Sequence, residues 1–510
     1  MNTLLDTIKN WAMTQPEHLA FVGKDDTGKT VQLTYSELFD QIQYAASQLK
    51  AHNVKVLALR AENNINWAII DLAAMAANIV VVPIPMFFSD SQIRHILIQS
   101  NVDTLLGDWN NVALPDGIIQ PTPNEQLRVS GLPLTHTFAT VHAPYLEGTG
   151  KITFTSGSTG QPKGVCLSNE HLFQVATSLS HAVKGLAQSH LVLLPLSTLL
   201  ENITGVYVPL ILGVTATILP GKHTGLMGSS HFDTSQFTKT LAEVKPDSLV
   251  LTPALLLALI HIVKTQPTLA LSLKFVAVGG ARVSSQLISA ARALNIPAFE
   301  GYGLSECGSV VCLNTPAEFK PGTCGKPLPH TQTRIADDGE LFVKGSIALG
   351  YLNEPFHQEW LATGDLAQID DQGYITLSGR KKNLIVTAYG RNVSPEWVES
   401  EALAFLPNTP LIVTGDDQQA LCAIVTKSEG LEEKISALNS TLPDYARIQV
   451  LLVMDNPQRI PSWYTENGKL KRDAIERSIS KWLAHDIPKF TLEGEEVQRI
   501  DLSLQSSIAS

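Results

Sequence analysis

Short apolar segments that alternate with longer stretches of helical character run through most of this chain. Four of them read LVLLPL, ATILP, SLVLTP and KFVAVGG, and ten or more residues separate each from the next. Parallel strands need a crossover connection of that length, usually a helix, whereas antiparallel strands can be joined by a tight turn. The alternation therefore predicts an α/β fold with largely parallel sheets.

One helix is predicted with particular clarity, where the segment TYSELFDQIQYAASQL begins. Thr34 and Glu37 have the spacing of a capping box, in which each side chain bonds the other residue's backbone. Leu38, Ile42 and Leu49 then recur on one helical face. The segment is predicted to be an amphipathic helix that starts just after Thr34.

The pattern of predicted secondary structure changes after Gly339. Turn pairs at 338–339 and 372–373, and another near 416–417, separate short apolar segments and indicate antiparallel hairpins. With 510 residues the chain is also too long for one hydrophobic core. We expect a large N-terminal domain of mixed α/β sheets over residues 1–380 and a smaller α+β domain over residues 381–510.

Composition argues against several classes of protein. The net charge of −11 disfavours nucleic acid as a partner, because phosphate binding needs a basic surface. The five cysteines form no CxxC pair and are interpreted as free thiols in a reducing compartment. The most apolar run, residues 67–86, contains Asp71 and Pro83, which favour a buried helix and strand over a transmembrane segment. The N-terminus lacks the pattern of a signal peptide, so we expect a cytoplasmic location.

A glycine-rich segment, ITFTSGSTGQPKGVCLS, occupies residues 152–168. Between Thr155 and Gly164 it holds three glycines, four hydroxyl residues and one lysine. Successive backbone amides in such a loop can form an anion site, and Lys163 adds a point charge. The order of Lys163, Gly164 and Val165 does not fit the Walker pattern. A flexible Gly/Ser linker has a similar composition, but the apolar strand in front of the loop favours phosphate binding.

Five later segments complete a recognisable series. They are VGGARV (278–283), FEGYGLSECG (299–308), ATGDLAQIDDQGYITLSGRKKNLIV (362–386), GRNVSPEWVESEA (390–402) and TENGKLKR (465–472). With the glycine-rich loop, their order resembles that of the acyl-adenylate-forming (AMP-binding) superfamily, from about residue 15 to about residue 475. Ser305 stands where that family more commonly has threonine.

The resemblance implies an ATP site assembled from these segments. The residues that it assigns to ATP or AMP are Thr155, Ser156, Gly157, Ser158, Thr159, Gly160, Lys163, Gly280, Ala281, Tyr302, Gly303, Asp365 and Arg380. The first seven would surround the β- and γ-phosphates. Tyr302 would stack on adenine, and Asp365 and Arg380 would reach the ribose hydroxyls.

The catalytic residues implied by the resemblance are Lys469, Glu306 and Ser305. Lys469 would bridge the attacking carboxylate and the α-phosphate, where a cation reduces the repulsion between two anions. Ser305 would contact the α-phosphate. Glu306 would bind Mg²⁺, with Thr159 as a second metal contact, because Mg²⁺ prefers carboxylate and other hard oxygen ligands.

The family also carries out a second half-reaction, in which a thiol attacks the adenylate after the C-terminal domain rotates. The C-terminal domain of this chain is therefore expected to be mobile, with Lys382 as its hinge. Gly390 would leave room for a pantetheine arm, and Arg391 would meet the phosphates of coenzyme A. The thiol would belong to coenzyme A or, alternatively, to the pantetheine of an acyl carrier protein.

The acid to be activated is indicated by LLPLSTLLENITGVYVPLILG, residues 193–213. Peptide-synthetase members of the family have an aspartate in this region that binds the amino group of the substrate. No acidic residue precedes Glu201 there, so an α-amino acid substrate is disfavoured. The segment resembles that of long-chain acyl-CoA synthetases, although Thr198 stands where many members have histidine. Thr198, Leu199, Glu201 and Ile203 are the expected wall of an apolar acyl pocket, for a fatty acid or a neutral aromatic acid. A buried core helix would also account for these apolar residues.

Three functions remain open from the sequence: an acyl-CoA synthetase, an enzyme that loads a carrier protein, and a non-catalytic nucleotide-binding relative. The intact phosphate loop and the presence of Glu306, Asp365 and Lys469 argue against the third.

Overall fold

The computed structural model describes residues 3–25, 27–110, 112–115, 127–137, 145–156, 162–228, 231–388, 391–407, 409, 411–465, 470–483, 485 and 487–502. Its α-helices are α1 (Leu4–Thr14), α2 (Tyr35–Ala51), α3 (Ile65–Ala77), α4 (Asp90–Gln99), α5 (Asn169–Val183), α6 (Leu199–Asn202), α7 (Val208–Leu212), α8 (Gly221–Thr224), α9 (Thr234–Val244), α10 (Pro253–Thr265), α11 (Ser285–Ala293), α12 (Pro395–Ala402), α13 (Leu431–Thr441) and α14 (Arg472–Leu483).

The strands are β1 (Leu19–Lys24), β2 (Thr30–Thr34), β3 (Val56–Arg60), β4 (Val80–Pro83), β5 (Thr104–Gly107), β6 (Leu127–Val129), β7 (Leu132–His136), β8 (Thr149–Ser156), β9 (Pro162–Ser168), β10 (Ser189–Val192), β11 (Thr215–Ile218), β12 (Leu226–Met227), β13 (His231–Phe232), β14 (Ser248–Leu251), β15 (Phe275–Val278), β16 (Ala298–Tyr302), β17 (Cys312–Leu313), β18 (Lys326–Pro327), β19 (Thr331–Ile335), β20 (Glu340–Gly345), β21 (Gly350–Tyr351), β22 (Glu354–Pro355), β23 (Leu361–Ile369), β24 (Ile375–Arg380), β25 (Ile385–Val386), β26 (Asn392–Val393), β27 (Leu411–Thr414), β28 (Leu421–Thr426), β29 (Ile448–Met454), β30 (Lys489–Leu492) and β31 (Glu495–Asp501).

Strands from the first two-thirds of the chain form two nine-stranded sheets. Sheet A has the order β18-β17-β16-β15-β14-β10-β11-β1-β2, and sheet B has the order β22-β21-β9-β8-β4-β3-β5-β7-β6. Consecutive neighbours from β16 to β1 in sheet A are parallel, as are those from β8 to β5 in sheet B. The predicted mixed α/β architecture is therefore confirmed.

The later sheets are mainly antiparallel. Sheet C has the order β19-β20-β23-β24, and sheet D has the order β27-β28-β29-β31-β30. The three hairpins expected from turn pairs are present as β19–β20, β23–β24 and β27–β28. Sheet C ends at Arg380, and sheet D lies wholly within residues 381–510 with its own buried cluster. A domain boundary at 380/381 remains a prediction.

Local expectations from the sequence are also confirmed. The Thr34 hydroxyl accepts the backbone N–H of Glu37, whose carboxylate in turn accepts the backbone N–H of Thr34 at 2.8 Å. Leu38, Ile42 and Leu49 on α2 are fully buried. The apolar run that begins at residue 67 forms the buried helix α3 and strand β4, and none of the described helices is long and apolar enough to span a membrane.

Candidate active site

A cavity of about 1310 Å³ opens at the C-terminal ends of the parallel strands of sheet A. Ligands in open α/β sheets bind in this position, because the connections that follow the strands diverge there. At one end the cavity is lined by Lys163, Ser305, Glu306 and Arg380. From there it extends back along one face of sheet A, beneath α5 and α7. The cavity thus joins a charged end to an apolar arm.

Tyr302, Asp365 and Arg380 come together although they are far apart in sequence. Asp365 and Arg380 are cross-strand partners in β23 and β24, and Asp365 Oδ1 lies 2.7 Å from Arg380 Nε. The Tyr302 hydroxyl donates to Asp365 Oδ2 at 2.6 Å. Burial raises the pKa of the Asp365 carboxyl, and the neighbouring guanidinium of Arg380 opposes that rise. Tyr302 and Arg380 line the cavity, whereas the carboxylate of Asp365 is engaged by these two side chains.

Glu306 lies in a short 3₁₀ turn, Ser305–Cys307, which follows β16. Its Oε1 accepts a hydrogen bond from the Tyr351 hydroxyl at 2.9 Å. Lys163 Nζ lies 4.9 Å from the centre of the same tyrosine ring, within the range of a cation–π contact. Tyr351 therefore connects the phosphate-loop lysine to the expected metal ligand.

Tyr351 was not identified from the sequence. It belongs to the two-residue strand β21, which pairs with β9 so that Tyr351 lies opposite Val165. The segment around Tyr351 is not one of the six motifs named above. Burial, together with the nearby carboxylate of Glu306, raises the pKa of the Tyr351 hydroxyl, so this group acts as a hydrogen-bond donor.

Glu306 fits a magnesium ion that also binds phosphate oxygens. Among the residues that the structure describes, no group of three or more His, Cys, Asp or Glu side chains could hold a metal by itself. Magnesium in nucleotide sites commonly needs only one or two carboxylates, because the phosphates and water supply its other ligands. Thr159, the second expected metal contact, lies outside the described residues.

The backbone geometry explains why glycine occupies positions 280 and 303, two of the positions expected to contact the nucleotide. Gly280 follows β15 with a φ of +78° and lines the cavity, whereas Ala281 is exposed and does not. A Cβ atom at Gly303 would lie 1.6 Å from the Ser309 carbonyl oxygen. Only glycine can therefore occupy position 303, where the backbone forms part of the cavity wall.

The phosphate loop joins β8 to β9, where Thr155 is the cross-strand partner of Lys163, and both residues line the cavity. The other expected phosphate contacts lie outside the description: Gly157, Ser158, Thr159, Gly160 and the side chain of Ser156. The same holds for Lys469 and Gly390.

The expected acyl-pocket wall requires a correction. Thr198 and Leu199 line the cavity, and so does Thr204, which the sequence did not identify. Glu201 and Ile203 do not line it, and both are fully buried. The chain lines the cavity from Thr198 to Leu200 where it enters α6, and the helical turns that follow carry Glu201 and Ile203 to the side that faces the core. Glu201 turns inward, where its Oε1 accepts the backbone N–H of Leu193 at 3.1 Å.

The C-terminal segment also contributes to the cavity wall. Lys382 lies in the 3₁₀ turn after β24 and lines the cavity, and burial lowers the pKa of its amine. Arg472 lines the cavity as well and bonds Glu399 at 2.8 Å and Glu396 at 3.1 Å. The sequence assigned no separate role to Arg472. Arg391 is exposed and does not line the cavity.

Comparison with known proteins gives consistent matches. The model of a family described as AMP-binding enzymes matches residues 8–352. A long-chain-fatty-acid–CoA ligase of Mycobacterium bovis is 28% identical over 473 residues, 78% of each chain. A 2-succinylbenzoate–CoA ligase of Bacillus subtilis is 24% identical over 502 residues, 93% of this chain and 97% of the relative.

Solved structures share the fold. An anthranilate CoA ligase in complex with anthranoyl-AMP superposes with a TM-score of 0.76 at 19% identity, covering 94% of this chain and 98% of that one. The o-succinylbenzoate CoA synthetase of Bacillus subtilis, in complex with its acyl-adenylate intermediate, gives 0.71 at 22% identity, covering 92% and 97%.

Proposed function

This chain belongs to the AMP-binding enzyme family, and we propose that it activates a carboxylic acid with ATP and then transfers the acyl group to the thiol of coenzyme A. It is an adenylate-forming ligase, and the proposal that goes further concerns which carboxylic acid it activates. The observation that carries the proposal is the cavity itself. One continuous space joins Lys163, Ser305 and Glu306 to a deep apolar arm, which is the arrangement needed to bring an apolar acid to a nucleotide phosphate.

In the proposed first half-reaction, the substrate carboxylate attacks the α-phosphorus of ATP and pyrophosphate leaves. Negative charge on the phosphoryl oxygens is the main obstacle, so positioned cations and hydrogen-bond donors lower the barrier. Lys163 and the phosphate loop would hold the departing phosphates, and Ser305 would donate to the α-phosphate. Mg²⁺ bound at Glu306 would supply further charge neutralisation, with Thr159 as a second contact.

The nucleoside would be held by the Tyr302–Asp365–Arg380 group and the glycines that follow β15. Asp365 accepts hydrogen bonds from Tyr302 and pairs with Arg380 in the present arrangement. Ribose hydroxyls would bond to this carboxylate after one of its two partners moves. Adenine would lie against Gly280 and the ring of Tyr302.

Lys469 is proposed to bridge the carboxylate and the α-phosphate, and Lys382 to act as the hinge between domains 1–380 and 381–510. In the second half-reaction Gly390 and Arg391 would admit the pantetheine and phosphates of coenzyme A. The named relatives are CoA ligases, which favours coenzyme A over a carrier protein as the acceptor. All five cysteines are free and buried, which supports the proposed cytoplasmic location.

The acid is proposed to be a fatty or other apolar acid, bound in the apolar arm beside Thr198, Leu199 and Thr204. An ATP–pyrophosphate exchange assay with a panel of aliphatic and aromatic acids tests the first half-reaction. Exchange that depends on an apolar acid is expected. Folded protein that exchanges with none of the acids would instead indicate a non-catalytic relative.

The acceptor is tested separately, because only the second half-reaction involves a thiol. Acyl-adenylate of the best acid is offered to coenzyme A and to a purified phosphopantetheinylated carrier protein. We expect thioester with coenzyme A. Transfer to the carrier protein alone would favour the alternative enzyme.

A further inference from the structure

A buried ion pair lies behind the wall of the apolar arm. Lys151 Nζ, from β8, lies 2.7 Å from Asp71 Oδ1, from α3, and both side chains are almost completely buried. Asn202 and Tyr207 complete the group, because each donates to Asp71 Oδ2, at 3.0 and 2.8 Å, and each accepts a hydrogen bond from the Lys151 ammonium. None of these four side chains lines the cavity, so the group does not touch a substrate there.

Stability alone does not account for the two charges. Burying an ion pair removes both ions from water, and an apolar set of similar volume is often as stable or more stable. Burial lowers the pKa of the Lys151 ammonium, although the attraction of Asp71 opposes this. Hydrogen bonds to fixed charges do, however, require defined directions, which apolar contacts do not. We therefore expect the group to specify a geometry.

The geometry that it specifies is that of the π-helical turn Ile203–Tyr207, which Asn202 and Tyr207 delimit. In an α-helix, two residues five positions apart point about 140° away from each other around the axis. Here the backbone N–H of Val208 bonds the carbonyl five positions earlier, and the extra residue brings positions 202 and 207 to the same side. Both side chains then reach one oxygen of Asp71, which a regular α-helix would not allow.

The π turn also decides which side chains face the arm. Leu200, Thr204, Val208 and Leu212 line the cavity at intervals of four residues. Along a regular α-helix such a row rotates by about 40° per interval and would leave the cavity side. Because the π turn contains more residues, it reverses part of that rotation. The row therefore stays on the cavity side from α6 through α7.

Strand β8 connects the ion pair to the phosphate loop. Lys151, Thr153 and Thr155 are alternate residues on one face of this strand, and the two threonines line the cavity. One strand thus leads into the phosphate loop and, through the Lys151 ammonium, holds the wall of the arm. Pairing with β9 keeps β8 in place, so loss of the lysine side chain should leave the ATP site intact.

We propose that Asp71 and Lys151 are positioning residues for the acyl substrate: they hold the π turn, so that the row from Leu200 to Leu212 faces the arm and determines which acids fit. This inference rests on the proposed function, because it assigns the acyl group to that arm. Neither charged residue takes part in bond formation. Their loss should change the selection among acids while binding of ATP is retained.

Two changes release the π turn in different ways. Tyr207→Phe removes one hydrogen bond to Asp71 and keeps the aromatic ring. The double variant Asp71→Asn with Lys151→Met removes both charges, so that no unpaired charge stays buried. Tyr35→Phe is the matched control, because the hydroxyl of this buried tyrosine bonds the same segment through the Leu210 carbonyl of α7, at 3.3 Å, rather than through the ion pair.

ATP–pyrophosphate exchange is measured with straight-chain acids of increasing length and with substituted aromatic acids. KM is determined separately for the acid and for ATP, and thermal unfolding midpoints check that each variant is folded. In the wild type we expect acids that differ by one or two methylene groups near the optimum to differ by roughly tenfold or more in kcat/KM, as in other apolar pockets.

Tyr207→Phe and the double variant should reduce this discrimination to about threefold or less, or move the optimum to another acid, while KM for ATP stays within roughly twofold. Tyr35→Phe should keep the wild-type profile. An unchanged acid profile in both ion-pair variants overturns the inference, as does an equal rise of KM for acid and ATP, or the same altered profile in Tyr35→Phe. Tyr207→Phe decides alone if the double variant does not fold. Exchange with none of the acids by the wild type is a different result, because it contradicts the proposed function itself.

Discussion

At the scale of single residues, Tyr351 is the contact that organises the charged end of the cavity. Its hydroxyl bonds Glu306 and its ring faces the ammonium group of Lys163. One side chain therefore fixes the positions of a cation and of an anion that must both meet ATP. Correct placement of such charges contributes more to phosphoryl transfer than covalent chemistry does.

We expect Tyr351→Phe to lower kcat/KM for adenylation by roughly tenfold, because a hydrogen bond to a charged group contributes about 1.5 kcal/mol or more. The Mg²⁺ concentration at half-maximal rate should rise, since Glu306 loses its orienting partner. Pyrophosphate exchange measured over a range of Mg²⁺ concentrations checks both effects. Tyr445→Phe is the control, because Tyr445 is 43% exposed and does not line the cavity. Unchanged Mg²⁺ dependence in Tyr351→Phe would contradict the assignment.

Asp365 allows a prediction about pH. Burial raises the pKa of its carboxyl, so on acidification it takes up a proton at a higher pH than an ordinary aspartate. The protonated form loses the attraction to Arg380 and one acceptor for ribose hydroxyls. We expect KM for ATP to rise as the pH falls, starting above the usual range for aspartate.

In Asp365→Asn, KM for ATP should be roughly 10- to 100-fold higher at neutral pH and should not vary with pH over that range. Initial rates at several ATP concentrations and pH values give the comparison. Asp370→Asn is a suitable control, because Asp370 pairs with Lys320 at a partly exposed position away from the cavity. An Asp365→Asn variant that keeps the wild-type pH profile would show that another group titrates.

The roles of individual residues could be predicted where those residues lie in ordered motifs, as for Glu306 and Asp365. The partner of Glu306 could not, because Tyr351 is 45 residues away and is brought in by the pairing of β21 with β9. Such contacts depend on the tertiary arrangement, which no local pattern encodes. Arg472 illustrates the same limit, since the two carboxylates that bury it lie more than seventy positions earlier.

At the scale of elements, the segment from α6 to α7 explains the error in the acyl-pocket prediction. A π-helical turn, Ile203–Tyr207, separates the two helices and changes which side chains face the cavity. Tyr207 and Asn202 both donate to Asp71 Oδ2, and Asp71 Oδ1 pairs with the buried Lys151 at 2.7 Å. This anchor turns the segment so that Thr204 lines the cavity and Ile203 joins the core.

Strand β16 supplies a further prediction, which concerns stability. Burial raises the pKa of Glu300 from 4.5 to about 8, and Arg282 only partly opposes this. The unfolded carboxyl ionises above pH 4.5 while the folded one keeps its proton, so the wild type loses stability as the pH rises from about 4.5 to about 8. Glutamine does not titrate and resembles the protonated acid in shape.

Glu300→Gln should therefore raise the thermal unfolding midpoint relative to the wild type at pH 8 and have little effect near pH 5. The difference at pH 8 should correspond to roughly 4 kcal/mol, the linkage free energy of moving this pKa from 4.5 to about 8. Glu433→Gln on the exposed face of α13 should leave the midpoint unchanged at both pH values. An equal shift of the Glu300→Gln midpoint at pH 5 and pH 8 would show that Glu300 is ionised in the folded state.

At the scale of the whole molecule, the class of the fold was predictable and the strand order was not. The alternation of apolar segments and helices requires parallel sheets, and turn pairs mark the hairpins of sheets C and D. In sheet A, however, β1 lies between β11 and β2, whereas β3, the next strand along the chain, lies in sheet B. That choice depends on how crossover helices such as α2 and α3 bury their apolar faces, which a one-dimensional pattern does not specify.

The separation of two half-reactions is the property of the whole molecule that one substitution can test. Lys469→Ala removes the cation proposed to lie between the carboxylate and the α-phosphate, and these two anions then repel each other during adenylation. Attack of a thiol on a preformed acyl-adenylate brings no second anion to that position. We expect adenylation to fall by a thousandfold or so, about 4 kcal/mol, while thioester formation from supplied acyl-adenylate stays within a few-fold of the wild-type rate.

Two further variants make this result specific. Lys489→Ala, at an exposed position of β30, should leave both half-reactions unchanged. Lys382→Pro should give the opposite pattern to Lys469→Ala, because proline restricts the backbone at the proposed hinge and so hinders the rotation that precedes thiol attack. Adenylation would then persist while thioester formation fails. If Lys469→Ala impairs both half-reactions equally, its side chain serves both arrangements of the domains, and the proposal that Lys469 acts in adenylation alone is wrong.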